Sequence, residues 1–164
     1  MAIEIERKYL LSNDSWRENI SKQVEFQQAY LANNERTSVR IRIEGELANI
    51  NIKSMTLGRS RSEFEYPIPL ADAQELINTL CTQPIVSKTR YWVYYAGKCW
   101  EIDEFSADNQ GLIVAEIELD TEDESFELPL WVGEEVTHLE RYYNMRLRSY
   151  PYNQWTDDEK FSRK

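Results

Sequence analysis

The sequence predicts an α+β protein, mainly antiparallel β, whose strands form a closed eight-stranded β-barrel with covering helices. Three observations lead there. Eight segments of strand length alternate apolar and polar residues with period two. Turn-forming residues separate many of these segments. The polar positions carry paired charges on strand after strand, and closure leaves an antiparallel sheet with no exposed edge.

The alternation places strands at about 2–11, 23–32, 36–45, 47–54, 61–68, 85–96, 98–105 and 111–120. Turns are signalled by Asn33-Asn34, Glu44-Gly45, Gly58, Ala96-Gly97 and the run from Asp108 to Gly111. Asn13 or Asp14 is placed to cap a short helix ending at Ile20, and Ala71 to Leu80 has apolar residues at helical spacing. Alternation stops after Thr121, and Trp131 to Leu147 reads as one or two helices with Asn144, Arg146 and Arg148 on a polar side. Residues 1–155 read as a single domain and 156–164 as a frayed, flexible tail.

A chain of 164 residues suffices for one domain with one core. Its apolar runs are short and its opening MAIEIERK has no signal-peptide core, so a cytoplasmic protein without a membrane partner is expected. Cys81 and Cys99 have no metal-type spacing and are expected as free, buried thiols. His138 is the only histidine, which excludes a zinc site of several imidazoles and most histidine-based triads. Any metal must therefore be held by carboxylates, which favours the hard ions Mg²⁺ or Mn²⁺. The net charge of −10 argues against nucleic acid as a partner.

Strand parity sorts the charges. Glu4, Glu6 and Lys8 share one face of the first strand while Ile3 and Ile5 take the other. The pattern recurs at Arg40 and Arg42, Asn51 and Lys53, Glu63 and Glu65, Lys88 and Arg90, Glu101 and Asp103, and Glu116 and Glu118. The plain alternative is a half-buried sheet showing its charges to water. Against it, like-signed residues at i and i+2 sit only about 7 Å apart and repel unless something lies between them. Eight carboxylates and six cations leave a lining of about −2, which attracts a polyphosphate only if divalent ions bridge acids and phosphate oxygens. A charged interior also turns the apolar face outward, where helices must cover it.

The opening Glu4-Ile5-Glu6-Arg7-Lys8 resembles the ExExK signature of the CYTH superfamily, the triphosphate tunnel metalloenzymes. From about residue 3 to 148 the later pairs fall in that family's order: Arg40-Ile41-Arg42, Lys53, Glu63-Phe64-Glu65, Lys88-Thr89-Arg90 and Glu116-Ile117-Glu118. The resemblance implies an eight-stranded tunnel that binds a linear or nucleoside triphosphate with Mg²⁺ or Mn²⁺. It implies that Glu4, Glu6 and Glu118 hold the metal bridging the phosphates, with Glu63, Glu65, Asp103 and Glu116 serving a second metal or the attacking water. Lys8, Arg40, Arg42, Lys53, Lys88 and Arg90 are implied to bind phosphate oxygens, and Arg141 resembles a basic residue sent inward from a C-terminal helix. Tyr30 matches a tyrosine that some members pair with the signature lysine; the other reading is a ring filling the barrel wall.

Among the family's activities the chain most resembles the bacterial inorganic triphosphatases, which release diphosphate and phosphate. A class IV adenylyl cyclase, a thiamine or nucleoside triphosphatase, a non-catalytic polyphosphate-binding module and a plain ligand-binding barrel are the alternatives. A homodimer is also compatible with the sequence.

Overall fold

The computed structural model describes residues 5–54 and 62–160. Glu4, the turn at Gly58 and residues 161–164 of the expected tail lie outside them. The strands are β1 (Ile5–Leu11), β2 (Ile20–Asn33), β3 (Thr37–Glu44), β4 (Leu47–Ser54), β5 (Glu63–Ile68), β6 (Thr82–Tyr95), β7 (Lys98–Phe105), β8 (Ile113–Leu119) and β9 (Val132–Glu135). The α-helices are α1 (Leu70–Thr79), α2 (Asn144–Ser149) and α3 (Asp157–Lys160), with short 3₁₀ turns between elements. Among the described residues no helix is long and apolar enough to cross a membrane.

All nine strands belong to one sheet, in the order β5-β4-β3-β2-β6-β7-β8-β1-β9, and every ladder described residue by residue is antiparallel. Two expectations are corrected here. The sheet has nine strands rather than eight, and among the described residues it is not closed into a barrel, because β5 and β9 stand at the two ends of the order. The additional strand, β9, comes from the segment read as helical. It pairs with β1, Tyr9 opposite Glu135 and Leu11 opposite Val132, and so occupies the edge of β1. Gly133 lets that pairing form, since a Cβ there would come within 3.1 Å of the Leu10 carbonyl oxygen. The rest of the expected helical region holds only a 3₁₀ turn at Glu140–Tyr142 and the six-residue α2.

The described residues gather into two compact units, one from residues 24–87 and the other from 5–23 with 88–160. In the first, Ala29, Ile41, Ile43 and Ala48 form the apolar face, and Ala73 and Ile77 of α1 cover it, as the helical spacing requires. In the second, Tyr9, Val93, Trp100, Ile102, Ala115, Ile117 and Leu119 form the apolar face. Its cover differs from the expected helices. Trp16, from the 3₁₀ turn Ser15–Asn19, and Trp131 belong to this core, and the Trp131 and Trp100 rings meet edge to face at 5.6 Å. No residue of α2 belongs to it.

The β6–β7 hairpin turns on Ala96 and Gly97, both at positive φ, as a two-residue turn that matches strand twist demands. Both cysteines are free; Cys81 is buried and Cys99 half-buried. Part of the expected tail is ordered into α3, and the Glu159 carboxylate accepts hydrogen bonds from the Tyr150 hydroxyl and the Thr156 amide.

Candidate functional site

In the unit built from 5–23 and 88–160, strand pairing sets Glu6 opposite Glu118, Lys8 opposite Glu116, Glu116 opposite Glu101, and Asp103 opposite Arg90. Directly opposed residues share a face, so these charges line one side of β1, β8, β7 and β6, with the tryptophan-rich core on the other. The middle of that charged side is withdrawn from water: Lys8, Lys88 and Asp103 are only 4%, 2% and 1% exposed. A solvated face would leave such side chains open.

Asp103 is the hub. It accepts hydrogen bonds from Lys88 Nζ at 2.6 Å and from Arg90 Nε and Nη2 at 2.7 and 2.9 Å, which commits both of its oxygens. Burial alone would raise its pKa; Lys88 and Arg90 reverse this and hold the carboxyl well below the usual carboxylate range. Arg90 also reaches Glu101 at 2.5 Å. Burial works against the Arg90 guanidinium, but Asp103, Glu116 and Glu101 outweigh it and raise its pKa. Glu101 itself is pushed up by burial in spite of Arg90.

Lys8 is handled in the same way. Its ammonium pairs with Glu116, lies 3.8 Å from Glu6, and sits 5.0 Å from the centre of the Tyr143 ring. Burial opposes its charge, yet Glu116 and Glu6 win and raise its pKa; burial would raise Glu116, but Lys8 draws it down. The backbone amide of Lys8 donates to Thr137 Oγ1 at 3.1 Å, and the Tyr143 hydroxyl donates to the Thr137 carbonyl at 2.5 Å. Residues after β9 therefore fix the lysine's position. Period-two reading missed Thr137 and Tyr143 because they lie outside the alternating segments.

The unit of residues 24–87 has its own charged side. Tyr30 faces Arg40, Gln28 faces Arg42, Arg40 faces Asn51, and Asn51 and Lys53 face Glu65 and Glu63. Here Arg40 is short of counter-charge. Arg40 is 8% exposed, and its pKa is lowered to about 10, first by burial and then by Arg42, with Tyr30, Glu63 and Glu65 offsetting only part of this. Arg42 reaches Glu44 at 3.1 Å, but the Nε atoms of both arginines are buried without a hydrogen-bond partner. So are both amide atoms of Gln28 and the Oδ1 atoms of Asn49 and Asn51. Six orphaned polar atoms on one sheet face mark a surface shaped for something that brings donors and acceptors of its own.

Asn51, the neutral member of the alternating pattern, donates from Nδ2 to Glu63 at 2.8 Å and to Glu65 at 3.1 Å, so one amide holds two like-charged carboxylates. Tyr30 is buried beside Arg40. Arg141 is placed elsewhere: its guanidinium lies over the Tyr142 and Trp155 rings at 5.1 and 5.6 Å and donates to the Glu159 carbonyl at 3.2 Å.

For a metal, the acids differ in exposure. Among the described residues no three Asp, Glu, His or Cys side chains gather into a ready cation cage. Asp103 and Glu116 are taken by lysine and arginine, whereas Glu118 is exposed and Glu6 keeps 40% of its side chain open. These two carboxylates oppose each other across β1 and β8, and the Lys8 ammonium 3.8 Å from Glu6 offsets part of their repulsion. Mg²⁺ is commonly held by one or two carboxylates, with water and phosphate oxygens in its other positions. The all-oxygen pair fits a hard divalent ion that arrives with its anion.

A family model described as the CYTH domain matches residues 2–145. A protein named inorganic triphosphatase from Acetivibrio thermocellus is 38% identical over 157 residues, covering 96% of this chain and 100% of that one. A second protein of that name, from Nitrosomonas europaea, is 32% identical over 148 residues, covering 88% and 95%. The crystal structure of the inorganic triphosphatase NE1496 aligns with TM-score 0.70 at 30% identity, covering 90% of this chain and 95% of that one.

Two outcomes follow from the charge balance. Arg40 has a folded pKa below its unfolded value, so its charge penalises the fold at every pH below about 10, and the penalty fades as pH rises above that. Arg40→Met should therefore raise the melting temperature at pH 7, and the gain should narrow above pH 10; thermal melts across pH check this. Asp103 shows the reverse. Its depressed pKa contributes stability in full above its unfolded pKa near 4, lost as pH falls toward the folded value. Asp103→Asn strands two buried cations and should cost about 3–5 kcal/mol in urea unfolding at pH 7, with the difference from the parent shrinking in acid.

Proposed function

Because the chain is a member of the CYTH family, we propose that it hydrolyses inorganic triphosphate to diphosphate and phosphate with a divalent metal ion, Mg²⁺ or Mn²⁺. The observation that carries this reading is the pair of buried Arg40 and half-buried Arg42, like-charged neighbours whose Nε atoms are unused donors. A chain of phosphates supplies the negative oxygens they lack. The named activity of the two relatives supports the same substrate.

Glu6 and Glu118, with Glu4 of the same signature, would hold the metal. When bound, it neutralises phosphate oxygens and so eases the approach of a nucleophile. The protein's own side chains do the rest. Arg40, Arg42 and Lys53 bind phosphate oxygens. Lys8, Lys88 and Arg90, kept cationic by Glu116 and Asp103, present fixed positive charge to the transferred group. A water oxygen bonds to the terminal phosphorus as the bridging P–O bond breaks, and that bond's electron pair leaves with diphosphate. The proton released by the water passes to Glu63 or Glu65, which Asn51 holds in place, and from there to solvent. No nucleophilic cysteine or histidine is needed for direct attack by water.

Phosphate release should be fast with inorganic triphosphate, slow with ATP, and abolished by EDTA. Glu6→Gln keeps the side chain's shape but loses the anionic oxygen, and should lower turnover by about 100-fold or more with an unchanged circular dichroism spectrum. Equal rates on both substrates, cyclic AMP as product, or parental turnover by Glu6→Gln would each contradict the reading.

A further inference from the structure

Gln28 lies in β2, directly opposite Arg42 and two residues before Tyr30, on the face that carries Arg40 and Arg42. It is 1% exposed, and neither Nε2 nor Oε1 has a hydrogen-bond partner. A buried amide with both ends unsatisfied is costly, and leucine or methionine would fill the same volume without that cost. Its charged neighbours offer one kind of group each. Arginines only donate, ionised carboxylates only accept, and Asn51 has turned its amide protons toward Glu63 and Glu65. Among the described side chains of this face Gln28 leaves both a donor and an acceptor unmet, whereas Asn49 and Asn51 each leave only Oδ1.

Building on the proposed activity, we propose that Gln28 is a direct contact of the bound triphosphate, its Nε2 donating to a phosphoryl oxygen while Oε1 accepts a hydrogen bond from a water held against the same phosphate. A phosphate chain offers acceptors alone at neutral pH, so arginine and lysine saturate it without ordering any water. A neutral amide does both, bringing a hydrogen-bonding water beside a phosphoryl group without adding charge. Gln28 thus joins the cations of this face as a substrate-binding residue, which its uncharged side chain hid from a reading based on charge pairs.

The full-length protein tests this through Gln28→Leu and Gln28→Met, with kcat/KM for inorganic triphosphate and melting temperatures measured with and without the nonhydrolysable imido analogue plus Mg²⁺. Loss of a hydrogen bond to a charged ligand should lower kcat/KM by about 10- to 100-fold and shrink the analogue's stabilisation. The ligand-free melting temperature should stay level or rise. A wall residue satisfied by trapped water would leave kcat/KM and the analogue's effect at parental values, and that result overturns the contact. If Gln28→Leu does not fold, Gln28→Met and Gln28→Glu, which keeps acceptors but loses the donor, carry the comparison. If the parent releases no phosphate from triphosphate, the activity fails on its own account; the analogue melts then decide Gln28 separately, equal stabilisation of parent and variants overturning it.

Discussion

The three hydrogen bonds that Asp103 accepts from Lys88 and Arg90 are the interaction on which the acid-rich face depends. A lysine at 2% exposure is untenable without an anion beside it, since an unpaired buried charge costs several kcal/mol. With Asp103 in place, both cations stay charged and Arg90 extends toward Glu101 and Glu116. Glu116 in turn secures Lys8. The result is a row of cations whose charge is guaranteed and whose positions are fixed before any ligand arrives, the condition under which electrostatic stabilisation of a reacting group is most effective.

The cation-rich face answers the same constraint differently. Arg40 has its pKa lowered because burial and Arg42 outweigh Tyr30, Glu63 and Glu65. The Arg40 charge therefore costs the fold stability at neutral pH. The orphaned atoms of Gln28, Arg40, Arg42, Asn49 and Asn51 are the same cost expressed in hydrogen bonds.

Parity made most of this legible before any coordinates. Because a strand alternates its faces strictly, Arg40 and Arg42 had to oppose Ile41 and Ile43, and the pairings of β3 with β2 and β4 show that they do. The helix over residues 70–79 was equally readable from its apolar spacing. What the pattern could not carry was contact between distant segments. Trp131 covers the second core because Gly133 allows β9 to lie against Leu10, and a glycine's missing side chain leaves no periodic trace. The sign of Asp103 is legible, but its hydrogen bonds from Lys88 and Arg90 are not, because charge sign alone does not say which partner an acid will take. Arg141 depended on a helix that is only a 3₁₀ turn, and its guanidinium packs on Tyr142 and Trp155. Neutral Gln28 and Asn51 were invisible to any count of charges.

The central claim is that the withdrawn charges await a triphosphate together with a divalent metal. Thermal melts of the parental protein under four conditions test it most directly: no addition, Mg²⁺ alone, imidotriphosphate alone, and both. Ligand that binds only the folded state stabilises it by about 2.7 kcal/mol at a hundredfold excess over Kd. For a domain of this size that is roughly 5–10 °C. The account predicts a rise of that order with both components, well above the sum of the two separate effects. A melting temperature that stays flat across all four conditions, with the protein folded throughout, would contradict it.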